Sequence, residues 1–291
     1  MCIRDRSNGI CSLNAHEDRY AMTCMMEIDD SGTVVNYRIR PSIIHVGRRC
    51  SYKEVYKALE ENIIPDDLQD FMPMLRDLAE ISKILNRMRR RRGALDFDFP
   101  EYKVLLDLDG TPLRIVKRDR TMAERLIEEC MLIANETVAT HLKNTHRTSV
   151  YRIHESPSEE KLDLFQKVLN YLGQDLVLSA NGVTPRDFQK ILDEVKGQDI
   201  EQVAQIMTLR SMQQAKYSIN NVGHFGLAST CYTHFTSPIR RYPDLMVHRL
   251  LKADMHWKNG YSKRDVEEAF LAGAVEHSSI QEQVATEACL L

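Results

Sequence analysis

The chain has 291 residues, 43% of them hydrophobic and 28% charged, with a formal net charge of −3. That is enough chain to bury a substantial core in one large domain or two ordinary ones, and the composition reads as soluble and globular. Overall basicity is excluded, so any nucleic-acid surface has to come from local clustering of Lys and Arg.

In chain order, Arg19 to Ile28 reads as a strand, and Asp29-Asp30-Ser31-Gly32-Thr33 supplies turn chemistry before a second strand through Ile44. Ser51 is placed to cap a helix through Glu60, with Glu54 at the capping-box position. A helix from about Asp66 to Arg92 ends at Gly93, a natural C-cap. Lys103 to Leu106 and Leu113 to Lys117 form a hairpin around Asp107-Leu108-Asp109-Gly110-Thr111. A long helix over about Met122 to Leu142 precedes a strand near Val150 to Ile153. Further helices cover 157–172, 184–195 and 199–213, Pro243 starts another, and a last one begins near Lys263. The expected fold is mixed α/β (α+β): one domain of strands flanked by long helices, its final helices packed on a strand layer.

The densest chemistry lies in Thr236-Ser237-Pro238-Ile239-Arg240-Arg241-Tyr242-Pro243-Asp244. Two hydroxyls, two guanidiniums and an aromatic stand just before a Pro-started helix, whose free N–H groups favour phosphate oxygens. Elsewhere, Arg87 and Arg89 to Arg92 make a basic run with two readings. It is either a rail that steers a phosphate backbone or a solvated helix end whose cations complement the dipole. Asp107 and Asp109, like Asp96 and Asp98, could face a divalent metal, but Asp-x-Asp-Gly is also what a tight turn prefers, and the turn reading is the stronger. The ten histidines contain no HExxH and do not converge with cysteines, and no P-loop, GxGxxG or nucleophile elbow is present. Seven cysteines are scattered without CxxC spacing, which fits free thiols without disulfides in a reducing, cytoplasmic setting. No apolar run approaches the roughly 20 residues of a membrane helix, so no membrane partner is expected.

His224-Phe225-Gly226-Leu227-Ala228 followed by the run from His234 to Asp244 resembles the signature of the ribonuclease II / ribonuclease R catalytic (RNB) domain. Its wording is nearer to ribonuclease R. The runs Ser7 to Asn14, Leu126 to Asn135 and Leu209 to Tyr217 resemble further segments of that domain, in order and spacing, from about Ser7 to the end. The resemblance implies a processive 3′→5′ exoribonuclease that acts on single-stranded RNA with magnesium (Mg²⁺) and releases nucleoside 5′-monophosphates. Arg240 matches the arginine beside the scissile phosphate, Phe97 an aromatic that stacks on bases at the RNA 3′ end, and Glu128 a carboxylate near the terminal ribose. On sequence alone, Glu128 could instead pair along its helix with Arg125. His224, Ser237, Arg241 and Tyr242 fall in matching motifs with generic phosphate-contacting or packing roles.

The family's magnesium-binding aspartates, cold-shock-like domains and S1 domain correspond to no part of this sequence. Residues 1–6 have no counterpart in the resemblance, so they read as a spurious start, and 7–291 as the C-terminal portion of the domain. Such a portion is expected to lack metal ligands and to be inactive by itself. The alternatives are a non-catalytic RNA-binding or regulatory protein on the same scaffold and an unrelated phosphoester-handling enzyme using Asp107 and Asp109.

Overall fold

The computed structural model describes residues 6–97, 101–107, 109–118, 120–145, 147–173, 182–257 and 260–288. A short π-helical turn at Arg6–Ile10 precedes β1 (Asp18–Ile28) and β2 (Val34–His45), which pair antiparallel with a bulge at Glu27/Ile28. Asp29 builds their turn: its Oδ1 accepts from the backbone N–H of Ser31 and Thr33, while Gly32 takes the positive φ of 88° the turn requires. Ser51 and Glu54 form the expected reciprocal capping box on α1 (Tyr52–Glu60).

The next segment departs from expectation. Asp66–Phe71 is a 3₁₀ helix, and α2 starts only at Met72 and runs to Arg92. Pro73 explains the break, because it has no N–H to give to a carbonyl four residues back and is tolerated only in a first turn. Gly93 closes α2 in the left-handed conformation, φ 102°, as its position implied. β3 (Glu101–Leu106) and β4 (Pro112–Arg118) form the second hairpin. In its turn the Gly110 N–H donates to the Asp107 carbonyl at 2.9 Å, as the turn reading of that aspartate requires. Asp98 lies outside the described residues.

α3 (Met122–Asn144) is capped by Thr121 with Glu124, and its continuous helical register carries the central apolar stripe of the molecule. Beyond it come β5 (Tyr151–Ile153), α4 (Glu159–Tyr171), α5 (Pro185–Glu194), α6 (Glu201–Ser211), β6 (Lys216–Ser218), a 3₁₀ turn at Phe225–Leu227 and α7 (Tyr242–Asp254). A 3₁₀ turn at Arg264–Val266 then leads into α8 (Glu268–Ala288), so this last helix proper starts five residues after Lys263. Among the described residues the strands form three separate antiparallel pairs, β1–β2, β3–β4 and β5–β6. The mixed helix and strand class holds; the strands form no single layer, and α8 packs on β6 as well as against the other helices. α3, α7 and α8 bury Val138, Leu142, Val247, Leu251 and Leu271 against one another, and β2 adds Ile39. A second core stacks Phe165 of α4 on Phe188 of α5, ring centroids 5.2 Å apart, with Leu95 and Met212 around them.

The basic run on α2 divides between roles: Arg89 and Arg92 are fastenings inside the fold, while Arg87, Arg90 and Arg91 stay exposed at the helix end, as the solvated reading implied. Arg89 is only 7% exposed at its side chain and forks onto Glu129 of α3, itself 2% exposed, with both N···O distances 2.8 Å. Asn86 supplies a third hydrogen bond to the same carboxylate. Arg92 forks onto Glu136 and also donates to the carbonyl of Leu227, tying α2 and α3 to the distant 3₁₀ turn. Arg91 donates to the carbonyl of Ser31, and Arg90 lies 3.5 Å from Asp193. The carboxylates facing the run were invisible in a linear reading. Removing one partner of the buried pair leaves an uncompensated charge, so Glu129→Ala is expected to cost about 3–5 kcal/mol in urea unfolding. The double change Arg89→Met/Glu129→Leu is expected to recover most of that loss, and a single-variant cost below about 1 kcal/mol would refute the fastening role.

Candidate functional site

The Thr236–Asp244 segment is organised by a carboxylate rather than by its arginines. Asp244, in the first turn of α7, is fully buried. Its Oδ1 accepts from the Ser237 N–H at 2.7 Å and from Arg241 Nη2 at 2.8 Å. The Ser237 carbonyl in turn accepts from the N–H groups of Arg240 and Arg241, closing a tight turn. Asp244 therefore does more than complement the helix dipole, since it locks the loop that leads into the helix. Arg241 becomes the N-cap residue with its guanidinium committed inward, while Tyr242 stays exposed. Arg240 is exposed, and among the described residues its guanidinium has neither a hydrogen bond nor an ion pair. Thr236 Oγ1, Arg241 Nε and Asp244 Oδ2 are buried without hydrogen-bond partners. The loop thus presents one free cation on a turn held from beneath.

Behind it stands a stack of histidines and tyrosines. The His224 ring meets His154 and Tyr232 edge-on, at centroid distances of 5.0 and 5.4 Å, and its Nδ1 accepts from the Leu227 N–H. Tyr232 then meets His234, whose Nδ1 lies 2.8 Å from the Tyr217 hydroxyl. His154 Nδ1 accepts from the Gly226 N–H, so its Nε2 carries the proton and donates to the Gln213 carbonyl. Asn135 of α3 bridges to this layer, donating to the Tyr232 hydroxyl and accepting from the Phe235 N–H, both at 3.0 Å. Burial is the first cause that holds these imidazoles neutral, with nearby Arg152 contributing at all three: His224 falls to about 3, His234 to about 2, and His154 is lowered as well. His224 packs in this layer and braces the Phe225–Leu227 turn.

A residue the sequence did not single out ties Glu128 to Asp96, the neighbour of Phe97. Arg120 donates through Nη1 to Asp96 at 3.0 Å and through Nη2 to Glu128. Glu128 is thus paired with Arg120 rather than with Arg125. Asp96 precedes Phe97, which packs against the core holding Phe165 and Phe188. The Leu95 N–H donates to the Gly226 carbonyl at 2.8 Å, joining this strip to the histidine layer. Arg120 carried no local signal, since it lies in a connection and reaches across to two other elements. Asn135 did carry one, as a polar residue on the buried stripe of α3.

Among the described residues no group of three or more His, Cys, Asp or Glu side chains is placed to hold a metal ion. Asp96 and Glu128 are engaged by Arg120, so the residues present do not fit the magnesium centre implied by the resemblance. No helix among them is long and apolar enough to cross a membrane. Cys11, Cys24, Cys50, Cys130 and Cys231 are free thiols, and Cys2 and Cys289 lie outside the described residues.

The neutral histidines fix the sign of a pH effect. Their pKa values lie below the unfolded value of about 6.5, so the unfolded chain binds the extra protons. Their contribution is intact above about pH 6.5, erodes as the pH falls, and is lost towards pH 3, where His224 protonates in the fold. The urea midpoint is expected to drop between about pH 7.5 and 5.5, and less so in His234→Gln, while an unchanged midpoint would contradict a neutral stack.

Residues 4–256 match the RNB domain family. Ribonuclease R 1 of Lactococcus lactis is 43% identical over 283 residues, covering 97% of this chain and 35% of that protein. Ribonuclease R of Thermotoga maritima is 43% identical over 286 residues, covering 97% of this chain and 40% of that protein. The fold is similar to Mycoplasma genitalium RNase R in complex with ribose-methylated single-stranded RNA, at TM-score 0.90 and 30% identity, covering 96% of this chain and 44% of that one. The chain spans between about a third and two fifths of the length of these curated relatives. A histidine-braced turn, an aspartate-locked arginine loop and a family match over most of the sequence converge on one assignment: this chain belongs to the RNB domain family, as a relative of the ribonucleases R.

Proposed function

We propose that this chain is the RNA-holding portion of a processive 3′→5′ exoribonuclease, cytoplasmic and magnesium-dependent as a whole protein, which releases nucleoside 5′-monophosphates. The observation that carries the reading is the contrast between Arg240 and the arginines of α2, the α3 cap and its own loop. Arg89, Arg92, Arg120 and Arg241 are all engaged by carboxylates, while Arg240 is exposed and unpaired on a locked turn. A guanidinium held in this way costs little to reorganise and can stabilise charge growing on a phosphate. Phe97 offers a π-face that serves any base, which suits digestion without sequence preference. Glu128 offers a carboxylate that can accept a ribose 2′-hydroxyl, a group DNA lacks. Ser237 and Tyr242 flank the same turn and contact the phosphate backbone. The similarity to an RNA-bound RNase R supports a single strand as the ligand.

The described residues have no ligand set for magnesium, so this portion grips and orients the 3′ end, and metal ligands come from elsewhere in the whole protein. Residues 7–291 are the C-terminal portion of the catalytic domain in this reading. Expressed alone, the chain is expected to bind short single-stranded RNA yet release no mononucleotides in magnesium. In a protein of full family length carrying this segment, Arg240→Ala is expected to slow hydrolysis on the order of 10²–10³-fold while RNA affinity changes less than tenfold. A large loss of affinity with an unchanged single-turnover rate would overturn the role of Arg240, and magnesium-dependent mononucleotide release by the chain alone would overturn the division of labour.

A further inference from the structure

We infer that Arg120 is a positioning residue that sets selectivity for a ribose over a deoxyribose at the bound RNA end, by holding Glu128 and the Asp96–Phe97 strip in one fixed relation. This rests on the proposed function and names a residue that neither the motifs nor the resemblance identified.

Arg120 immediately precedes Thr121, the N-cap of α3, where the Glu124 carboxylate accepts from the Thr121 N–H and hydroxyl. Its backbone is therefore pinned. From there the guanidinium, partly exposed at 28%, spans two elements, with Nη1 on Asp96 Oδ1 and Nη2 on Glu128 Oε2. A planar fork imposes the mutual orientation of both carboxylates, which a flexible ammonium does not. Partial burial opposes the positive charge, but the hydrogen bonds Arg120 donates to Glu128 and Asp96 outweigh it and keep the guanidinium pKa above its ordinary value.

The charges around this bridge leave it receptive. Arg89 makes its hydrogen bonds to Glu129 and feels Asp96 and Glu128 only through its charge, whereas Arg120 makes the hydrogen bonds to both of these carboxylates. Neither carboxylate makes a further hydrogen bond among the described residues, and both are more than a third exposed. Glu128 thus keeps Oε1 available to accept a hydroxyl, aimed by the bond that Arg120 makes to Oε2. Phe97 lies one residue from the other end of the bridge. The core packing of Phe97 and the Leu95–Gly226 bond hold the strip on one side, and the Arg120 fork fixes Glu128 relative to it. Without that fork, Glu128 can turn away, and its preference for a hydroxyl donor weakens.

The test compares the 291-residue chain on a short fluorescent oligouridylate and on the same oligonucleotide with 2′-deoxyribose at its 3′-terminal sugars, by fluorescence anisotropy. Arg120→Ala is expected to shrink the affinity ratio between the two probes about tenfold, the size of one charged hydrogen bond. Arg120→Lys is expected to restore only part of it. In a Glu128→Gln background Arg120→Ala is expected to change the ratio no further, because the two residues act as one unit. Thermal melting of each variant separates selectivity from folding. An equal loss of affinity for both probes, or an unchanged ratio, overturns the role of Arg120 when Glu128→Gln itself lowers the ratio. An unchanged ratio in Glu128→Gln sinks the reading of Glu128 and with it this inference, and no binding of either probe sinks the RNA reading as a whole.

Discussion

The buried carboxylate of Asp244 is the constraint on which the arginine loop depends. A charge removed from water is costly unless it is paired and hydrogen-bonded, and Asp244 meets that condition through Arg241 and the Ser237 N–H. The two partners lie on either side of Arg240, so satisfying the carboxylate fixes the backbone that carries it. Pro243 adds to the same end, because its fixed φ suits the first turn of the helix. Adjacent arginines thereby acquire opposite duties. Arg241 is engaged in the architecture, and Arg240 stays exposed without an ion pair among the described residues.

The same sorting of cations runs through the rest of the molecule. Arg89, Arg91 and Arg92 leave α2 in different directions and end on α3, the first hairpin turn and the Phe225–Leu227 turn. A dense basic run is therefore compatible with a modest net charge and with a small number of free guanidiniums at the site. The buried histidines follow the same logic in neutral form. They fill the layer under the loop with aromatic surface and directional hydrogen bonds, without adding positive charge beside Arg240.

Features written in local chemistry were readable from the sequence. The Ser51–Glu54 box, the Asp29–Gly32 turn, the Gly93 cap and the Pro-started α7 each need only neighbours within a few residues. Pro73 could have signalled the late start of α2, but the continuous apolar pattern around it concealed the break. The separation of the strands into three pairs was not readable, because alternation shows that a segment is extended and not which strand pairs with which. At the site, the loop and its free arginine were visible as a motif. The roles of Arg120, Arg92 and Asn135 were not, since each acts across long stretches of sequence.

Asn135 carries a consequence for biogenesis. Its amide is buried in the middle of α3, and both its partners come from residues 97 and 100 positions later in the chain. A ribosome adding about 5–20 residues per second delivers those partners only some 5–20 s after α3 has emerged. During that interval Val138 and Leu142 lack their α7 and α8 neighbours, and the Asn135 amide has nothing but water to bind. Nascent chains paused between these two points are the species on which a chaperone would find its opening.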